Sequence, residues 1–196
     1  MTTWTTPRTW TNSDPTASQF NTDLRDNSNY LKERLPGYID AVSTNVTFSN
    51  STAENDLWSY SVAGGEMTAT GLMRFDFWVV CSNSKGSSGN LTLKFYIGAN
   101  SVTVASTTIN DAASGTYYRS VLVRGDGTTS SQRIINFGHT LINGSANGGI
   151  AAVEATTATD ISTAQTWKLT ATLNAASANF SVTCRFAGLT YNVMGI

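Results

Sequence analysis

The sequence predicts a mainly β fold: a jelly-roll-like β-sandwich preceded by an extended arm and one N-terminal amphipathic helix. After residue 37 apolar residues recur with a period of two, as they do in half-buried strands. Clusters of Gly, Asn, Asp and Ser separate these stretches at regular intervals, which is typical of sandwiches and barrels. The loops at 82–90 and 143–149 favour a two-sheet sandwich with jelly-roll connections over an open sheet, and a barrel stays open as an alternative. Within residues 16–36 the apolar residues instead recur with the period of a helix.

These patterns divide the 196 residues into three segments. Residues 1–15 are the arm, 16–36 the helix or short stalk, and 37–196 the head. The length and the 40% hydrophobic content are sufficient for one sizeable core. The head strands are predicted at 39–48, 57–62, 66–81, 91–97, 101–109, 116–124, 132–142, 150–155, 165–173 and 179–194.

Two tryptophans mark the arm, in which residues 4–10 read WTTPRTW. A segment of this length has no core of its own. We therefore expect the indoles of Trp4 and Trp10 to insert into a neighbouring surface. Pro7 favours an extended backbone, and Arg8 offers a bidentate contact. We therefore predict a docking arm composed of Trp4, Pro7, Arg8, Thr9 and Trp10.

The helix has a clear beginning and end. Asp14 is a suitable N-cap before Pro15, and Pro36-Gly37 stops the helix. Its packing or oligomerisation positions are predicted to be Phe20, Leu24, Asn27, Leu31 and Leu35, which follow a heptad seam. One interpretation is a surface helix that packs this stripe on the head. The other is a short parallel coiled coil between identical chains, in which Asn27 fixes the register.

The charge composition and the absence of targeting patterns indicate which binding partners and which cellular compartment to expect. Charged residues make up only 13% of the chain, and 12 Lys and Arg face 13 Asp and Glu. A formal charge of -1 provides no global field for nucleic acid or an anionic membrane, so we expect neither as a partner. No signal-peptide pattern and no long apolar run occurs in the sequence. We therefore expect synthesis in the cytoplasm.

Two cysteines lie within alternating apolar stretches. Cys81 follows Phe77 and Val79, and Cys184 follows Phe180 and Val182, which places both on the buried faces of strands. Cytoplasmic synthesis favours two free thiols. A disulfide stays open as an alternative if the two strands are neighbours.

The sequence contains no pattern that predicts catalysis, a metal or a cofactor. His139 is the single histidine, and no nucleophile motif accompanies it. One His and two distant Cys do not have the spacing of a zinc site. The carboxylates of Glu54 and Asp56 lie in a turn-like stretch without an aromatic platform, so we interpret them as solvated loop residues. We expect no enzymatic activity and no cofactor.

One tripeptide matches a known receptor-binding sequence. Residues 124–126 read Arg-Gly-Asp, a sequence that animal integrins bind. Asp126-Gly127 is also one of the strongest hairpin dipeptides. Backbone geometry therefore explains this sequence as a turn between two strands.

The order of motifs resembles the N-terminal segment of structural proteins of tailed bacteriophages. Members of this group carry a Pro-Arg-Thr-Trp element, a polar spacer, a helix with an Arg-Asp-Asn step and a variable β domain. Here these parts occur at 7–10, 11–15 and 25–27, ahead of the head. The stretches 91–98, 160–173 and 175–184 resemble the heads of such proteins. The spacer at 11–15 departs from the Val-Ala-Gly-Glu type expected there.

The resemblance implies a virion component, exposed on the virion surface after synthesis in the host cytoplasm and bound to other capsid or tail proteins. We expect a non-enzymatic accessory protein, a capsid decoration protein or a short fibre, which forms a homotrimer. The alternative is a receptor-binding or glycan-binding minor tail protein. Its head would contact a host surface glycan through aromatic residues such as Trp58, Tyr117 or Tyr118.

Overall fold

A computed structural model describes residues 38–42, 44–143 and 145–192. Within these ranges the chain forms eleven β-strands and no helix, which confirms the all-β prediction for the head. The predicted arm and helix lie outside the described residues. The strands are β1 Tyr38–Val42, β2 Val46–Ser49, β3 Asn55–Val62, β4 Leu72–Asn83, β5 Gly89–Ile97, β6 Asn100–Ile109, β7 Ala113–Gly125, β8 Gln132–Ile142, β9 Ser145–Thr157, β10 Gln165–Leu173 and β11 Phe180–Asn192.

All of the described strand pairs are antiparallel, and they build two sheets. The larger sheet has the order β1-β11-β4-β7-β8-β9, and β2 also pairs with β11. The smaller sheet has the order β3-β10-β5-β6. The chain changes sheet at each step from β2 to β5, so strands that are adjacent in sequence lie in opposite layers. The architecture is a two-sheet β-sandwich.

Strand alternation determines which side chains enter the core. In β5 the side chains of Leu91, Leu93 and Phe95 are fully buried, whereas Asn90 is exposed and Lys94 is only partly covered. Successive side chains of a strand point to opposite faces. Each sheet therefore presents one apolar face to the other sheet and one mixed face to solvent.

Aromatic rings from both sheets meet in the core. The ring of Phe75 in β4 lies 5.0 Å from that of Phe95 in β5 and 4.5 Å from that of Trp58 in β3. Trp167 of β10 meets Phe95 edge-on at 5.8 Å. None of the four is more than 3% exposed. Burying each such ring stabilises the fold by roughly 1.5–3 kcal/mol, so this cluster holds the two layers together.

Both cysteines are buried free thiols, as predicted. They lie on neighbouring strands, because β4 pairs with β11 and Cys81 is opposite Val182. Burial raises the pKa of Cys81 to about 12. Burial also raises the pKa of Cys184 to about 11, although its thiol donates to the Phe186 carbonyl at 3.3 Å. Each thiol behaves as a small apolar core residue.

Two predicted strand boundaries were wrong. The predicted strand 39–48 is two strands, β1 and β2, and both pair with β11. The predicted strand 66–81 begins only at Leu72. Residues 63–71 instead form turns, with hydrogen bonds from Glu66 N to Ala63 O and from Gly71 N to Thr68 O. Met67 is 1% exposed in this segment, so burial of a turn residue produced the strand-like spacing.

Candidate binding site

The outer face of the larger sheet carries a concavity. In β4, Phe75, Phe77 and Val79 are buried, so Asp76 and Trp78 point to the opposite face. The strands β7, β8 and β11 of the same sheet contribute further side chains that point to this outer face. Together they line an open trough of about 650 Å³.

Strand register arranges these side chains in two rows across the sheet. Tyr118 of β7 pairs with Trp78 of β4 on one side and with His139 of β8 on the other. Ser120 likewise pairs with Asp76 and Phe137. We call the first set, completed by Phe186 opposite Trp78, the aromatic row. The second set, Asp76, Ser120 and Phe137, is the Asp76 row. Positions two residues apart on a strand are about 7 Å apart, which sets the width of the trough.

The aromatic row is a stack of flat groups. The rings of Trp78 and Tyr118 are 5.4 Å apart and inclined by 24°. The guanidinium carbon of Arg185 lies 5.5 Å from the Trp78 ring centroid, which is a favourable cation–π geometry. Tyr118 is 43% exposed and Phe137 is 36% exposed, and these are the large exposed apolar side chains of the described head. The two walls of the trough thus offer accessible aromatic surface.

A polar network fixes the Asp76 row. Arg74 Nε lies 2.9 Å from Asp76 Oδ1, and Arg74 Nη2 donates to Ser120 Oγ at 3.1 Å. Ser120 Oγ also donates to Asp76 Oδ1. The three side chains hold one another, so the Asp76 carboxylate and the Ser120 hydroxyl have defined positions at the trough. Such preformed polar groups give a binding site its orientation and specificity.

A buried guanidinium lies beneath the trough. Arg119 pairs with Phe77 and Gly138 in the row between the two walls, and its side chain is 2% exposed. Its Nη2 donates to Thr140 Oγ1 at 2.6 Å, whereas Nε and Nη1 have no partner among the described residues. Burial lowers the pKa of Arg119, and the proximity of Tyr117 opposes that shift. Arginine nevertheless keeps its charge in proteins, so an uncompensated positive charge underlies the floor.

The structure places the other predicted candidates apart from this trough. Trp58 and Tyr117, predicted to be exposed, are buried at 3% and 0%, so that prediction was wrong for both. Trp58 Nε1 instead donates to Asp40 Oδ2 at 2.7 Å and ties β3 to β1. Tyr118 is exposed, as predicted. The arm residues Trp4, Pro7, Arg8, Thr9 and Trp10 and the helix residues Phe20, Leu24, Asn27, Leu31 and Leu35 lie outside the described part of the chain.

Of the two carboxylates considered for glycoside chemistry, Glu54 immediately precedes β3 and Asp56 is part of it. Glu54 lies 3.4 Å from Lys94 Nζ and accepts a hydrogen bond from Thr170 Oγ1 at 2.5 Å. Asp56 lies on β3 rather than in a loop, 3.2 Å from Lys168 Nζ. Partial burial raises the pKa of Glu54, but hydrogen bonds from Thr170 and Tyr96 and the charge of Lys94 bring it below its ordinary value. Both carboxylates are engaged in ion pairs on the outer face.

The Arg-Gly-Asp sequence lies at the β7–β8 connection, and the predicted turn is confirmed. Gly127 has a φ of +83°, and Asp126 N donates to Ser131 O at 3.0 Å. The Asp126 carboxylate lies 3.2 Å from Arg133 Nε. An ion pair and a backbone turn therefore account for Asp126.

Two classes of site are not seen in residues 38–42, 44–143 and 145–192. These residues contain no group of three or more His, Cys, Asp and Glu side chains placed to hold a metal ion. They also contain no helix long and apolar enough to cross a membrane.

Sequence reasoning missed the trough, although a signal for it existed. Trp78, Tyr118 and Phe137 each occupy the phase opposite to the buried residues of their strands. A large aromatic residue in the solvent phase is a departure from the usual polar choice. That the three lie side by side follows from strand register, which the sequence does not give.

No protein-family model matches the chain, and no curated protein matches it. Among solved structures, the infectious bursal disease virus Gx strain gives a TM-score of 0.35 at 9% identity over 80% of this chain. That match spans only 32% of the viral protein. The CBM2 module of the evolved Dit of Lactobacillus casei BL23 phage J-1 gives 0.34 at 10% identity, over 70% of each chain.

The binding domain of botulinum neurotoxin serotype G gives a TM-score of 0.31 at 10% identity, over 79% of this chain and 42% of that one. These likenesses are too weak to transfer a function. Functional inference therefore depends on the residues of this chain.

Proposed function

We propose that this chain is a non-enzymatic structural protein of a tailed-bacteriophage virion, an accessory protein docked on the particle through its N-terminal arm. The arm sequence carries the proposal. Two tryptophans, a proline and an arginine within seven residues provide apolar anchors, an extended backbone and a charged fork. These are the features of a segment that binds by insertion into preformed pockets of another protein. The resemblance to phage structural proteins involves the same residues.

The strand order of the head supports the proposal. The core of the larger sheet runs β2-β11-β4-β7, and it faces β3-β10-β5-β6. Four strands per sheet in this order are the jelly-roll arrangement, with β1 and the β8–β9 pair added to the larger sheet. Jelly rolls are common in viral capsid proteins. Because folds host many functions, the strand order supports a virion role without determining one.

We further propose that the protein is a homotrimer, either a capsid decoration trimer or a short fibre. The heptad positions of the predicted helix 16–36 would provide a seam for three identical helices. Closed cyclic symmetry is the usual state of homo-oligomers. Three linked arms convert modest individual affinities into tight attachment to a capsid or tail scaffold.

The docking role is tested by substituting both arm tryptophans in the full-length chain. We expect Trp4→Ala with Trp10→Ala to abolish co-sedimentation with particles that lack the protein, because the two largest apolar anchors are lost. The matched control is Thr3→Ala with Thr11→Ala, which changes the same arm and keeps its aromatic residues. If the tryptophan variant co-sediments like the unmodified chain, the docking proposal is wrong.

A second function, host-surface binding by the head, is favoured by the trough. Its exposed Tyr118 and Phe137 lie beside ordered polar groups, which is the composition of a ligand-binding cleft. This function is compatible with arm docking, because the two activities use different segments. Particles that carry Tyr118→Ala are expected to assemble normally and adsorb poorly. Normal adsorption by such particles would count against host binding through this surface.

A further inference from the structure

The trough has the size and chemistry of a site for a small amphipathic ligand. Clefts that bind such ligands measure about 300–1,000 Å³, and this one measures about 650 Å³. Its walls carry apolar ring surface from Tyr118 and Phe137, while Asp76 and Ser120 present polar atoms between them. A sugar ring has the matching character, with apolar C–H faces and a rim of hydroxyl groups. Hydroxyls can bond the carboxylate and the serine while C–H groups contact the aromatic rings.

The charges around the trough favour an acidic sugar over a neutral one. The guanidinium groups of Arg74 and Arg185 lie on the outer face beside the trough, and that of Arg119 lies behind it on the inner side of the sheet. The Asp76 carboxylate offsets only one of them, because it is paired with Arg74. On the outer face this leaves the charge of Arg185, which has no carboxylate partner among the described residues, and Arg119 adds positive potential from behind the sheet. A concave surface of one sign concentrates ligands of the opposite sign.

Arg119 has the phase of the core-facing residues Tyr117 and Val121, so it adds positive potential to the trough from the inner side of the sheet. It is 2% exposed, and two of its three guanidinium nitrogens have no partner in the described part of the chain. No described carboxylate lies within ion-pair distance of it. A buried charge without a counter-charge is strongly unfavourable, and surrounding protein screens it less than water does. An anionic group bound in the trough would lie across the backbone layer from this charge and would offset part of it.

A second copy of the chain is a poorer occupant. Tyr118 and Phe137 are the large exposed apolar side chains of the described head, and charged side chains flank them. A stable interface buries about 800 Å² on each partner around an apolar centre. Two aromatic residues separated by a polar network do not supply such a centre.

We propose that the trough binds the carboxylate-bearing sugars of an acidic polysaccharide on the host surface. This inference rests on the second proposed function, and it names the site and the ligand class. Arg185 at the rim attracts the carboxylate, and Arg119 adds positive potential from behind the sheet. Tyr118 and Phe137 contact the faces of the sugar ring. Asp76 and Ser120 bind its hydroxyls.

The test measures binding of the full-length protein to uronic-acid oligosaccharides by calorimetry. The panel comprises galacturonate, glucuronate-containing and mannuronate oligomers, each beside its methyl ester, which keeps the ring and removes the charge. We expect at least one acidic oligomer to bind about tenfold more tightly than its ester. The difference should shrink as salt is raised from 50 to 300 mM, because salt screens the arginine charges.

The chain supplies matched control variants on the opposite sheet. Lys168 Nζ lies 4.8 Å from the Tyr96 ring centroid there, much as Arg185 lies over Trp78. We expect Arg185→Gln to weaken acidic-sugar binding about tenfold, which corresponds to one charge contact. Lys168→Gln removes an equivalent charge and should have no effect. Tyr118→Ala should weaken binding by a similar factor, whereas Tyr96→Ala should not. Circular dichroism of each variant verifies that it is folded.

Several outcomes would overturn the inference. One is equal affinity for every acid and its ester, and another is the absence of binding to all of them. Equal losses of sugar affinity in the trough variants and in the control variants of the opposite sheet would also overturn it. If trough variants change the molar mass in solution and no sugar binds, the trough is a subunit interface. If no sugar binds but particles with Tyr118→Ala fail to adsorb, host binding stands and the sugar assignment is wrong. Arm docking is judged separately, by co-sedimentation.

Discussion

At the scale of single residues, the face of the sheet to which a side chain points determines whether that side chain is buried or exposed. Tyr117 and Tyr118 are neighbours in β7, yet one is fully buried and the other is 43% exposed. The sequence predicted the strand, but adjacent aromatic residues give no reason to prefer either phase. Pairing with β4 decides it, because Tyr117 lies opposite Val79 and Tyr118 opposite Trp78. The error over Trp58 has a related cause, since a partner for its indole nitrogen comes from distant Asp40.

The buried thiols give a prediction of alkaline instability. Folded Cys81 and Cys184 titrate near pH 12 and 11, whereas an exposed thiol titrates near 9. The stabilisation is therefore complete below pH 9 and is lost as the pH rises, because only the unfolded thiols ionise. Between pH 8 and 10 we expect the free energy of unfolding to fall by about 1.3 kcal/mol for each thiol.

Urea denaturation at the two pH values measures this loss. The matched control is the double variant Cys81→Ala with Cys184→Ala, whose stability at pH 8 is lower because cavities form. Its change between pH 8 and 10 should be smaller than that of the unmodified chain by about 2.6 kcal/mol. An identical pH dependence in both proteins would contradict the assignment of buried neutral thiols.

At the scale of elements, β8 shows how much of a strand the sequence can predict. The predicted and observed bounds of this strand coincide at 132 and 142, because its apolar spacing and flanking turn residues are local signals. Its pairing with β9 is irregular, with register shifts between Asn136 and Gly138 and between His139 and Leu141. Such irregularities depend on the partner strand, which local patterns do not specify. Phe137 and His139, which line the trough, lie within this irregular segment.

Gly138 is predicted to be essential to this element. Its φ is +146°, and an added Cβ would lie 2.1 Å from the Tyr118 carbonyl oxygen and 2.9 Å from Arg119 Cα. These are backbone atoms of the paired strand, so the clash is not relieved by a side-chain rotation. We expect Gly138→Ala to lower the free energy of unfolding by about 3 kcal/mol, as a strained backbone and a steric clash combine.

Gly127→Ala is the control for backbone strain alone. Gly127 also has a positive φ, +83°, but nothing lies within 4 Å of its added Cβ. Its loss of stability should be about 1 kcal/mol. Thermal denaturation of both variants gives the comparison. Equal losses would show that the close approach of β7 and β8 at Gly138 is unimportant.

At the scale of the whole molecule, the sandwich follows from patterns that are distributed over the sequence. Ten alternating stretches predicted an all-β head, and the eleven described strands arise by division of one of them. The assignment of strands to two sheets depends on long-range pairing, such as that of β11 with β1, β2 and β4. Contacts across more than 100 residues leave no local signal. The trough is therefore a property of the assembled sheet, whereas the docking arm is a prediction from a short sequence.

The oligomeric state is predicted at this scale. We expect light scattering to give the full-length chain the mass of a trimer, because the predicted helix seam and the proposed docking arms both favour threefold association. A chain that starts at Gly37 should then be a monomer if the helix is the stalk. Trimers of both would assign assembly to the head. Monomers of both would contradict the trimeric decoration or fibre proposal.

The pleat of the larger sheet places core residues and trough residues on opposite faces. In many proteins the residues that stabilise the fold and those that bind a ligand constrain each other during evolution. Positions 75, 77, 79, 117 and 121 face the core, and positions 76, 78, 118, 120, 137 and 139 line the trough. Mutations in the second set leave the first set's packing intact, so a lineage can change what this face binds in single steps without losing its fold. The same separation makes these six positions a natural choice for a randomised library in which most members remain folded.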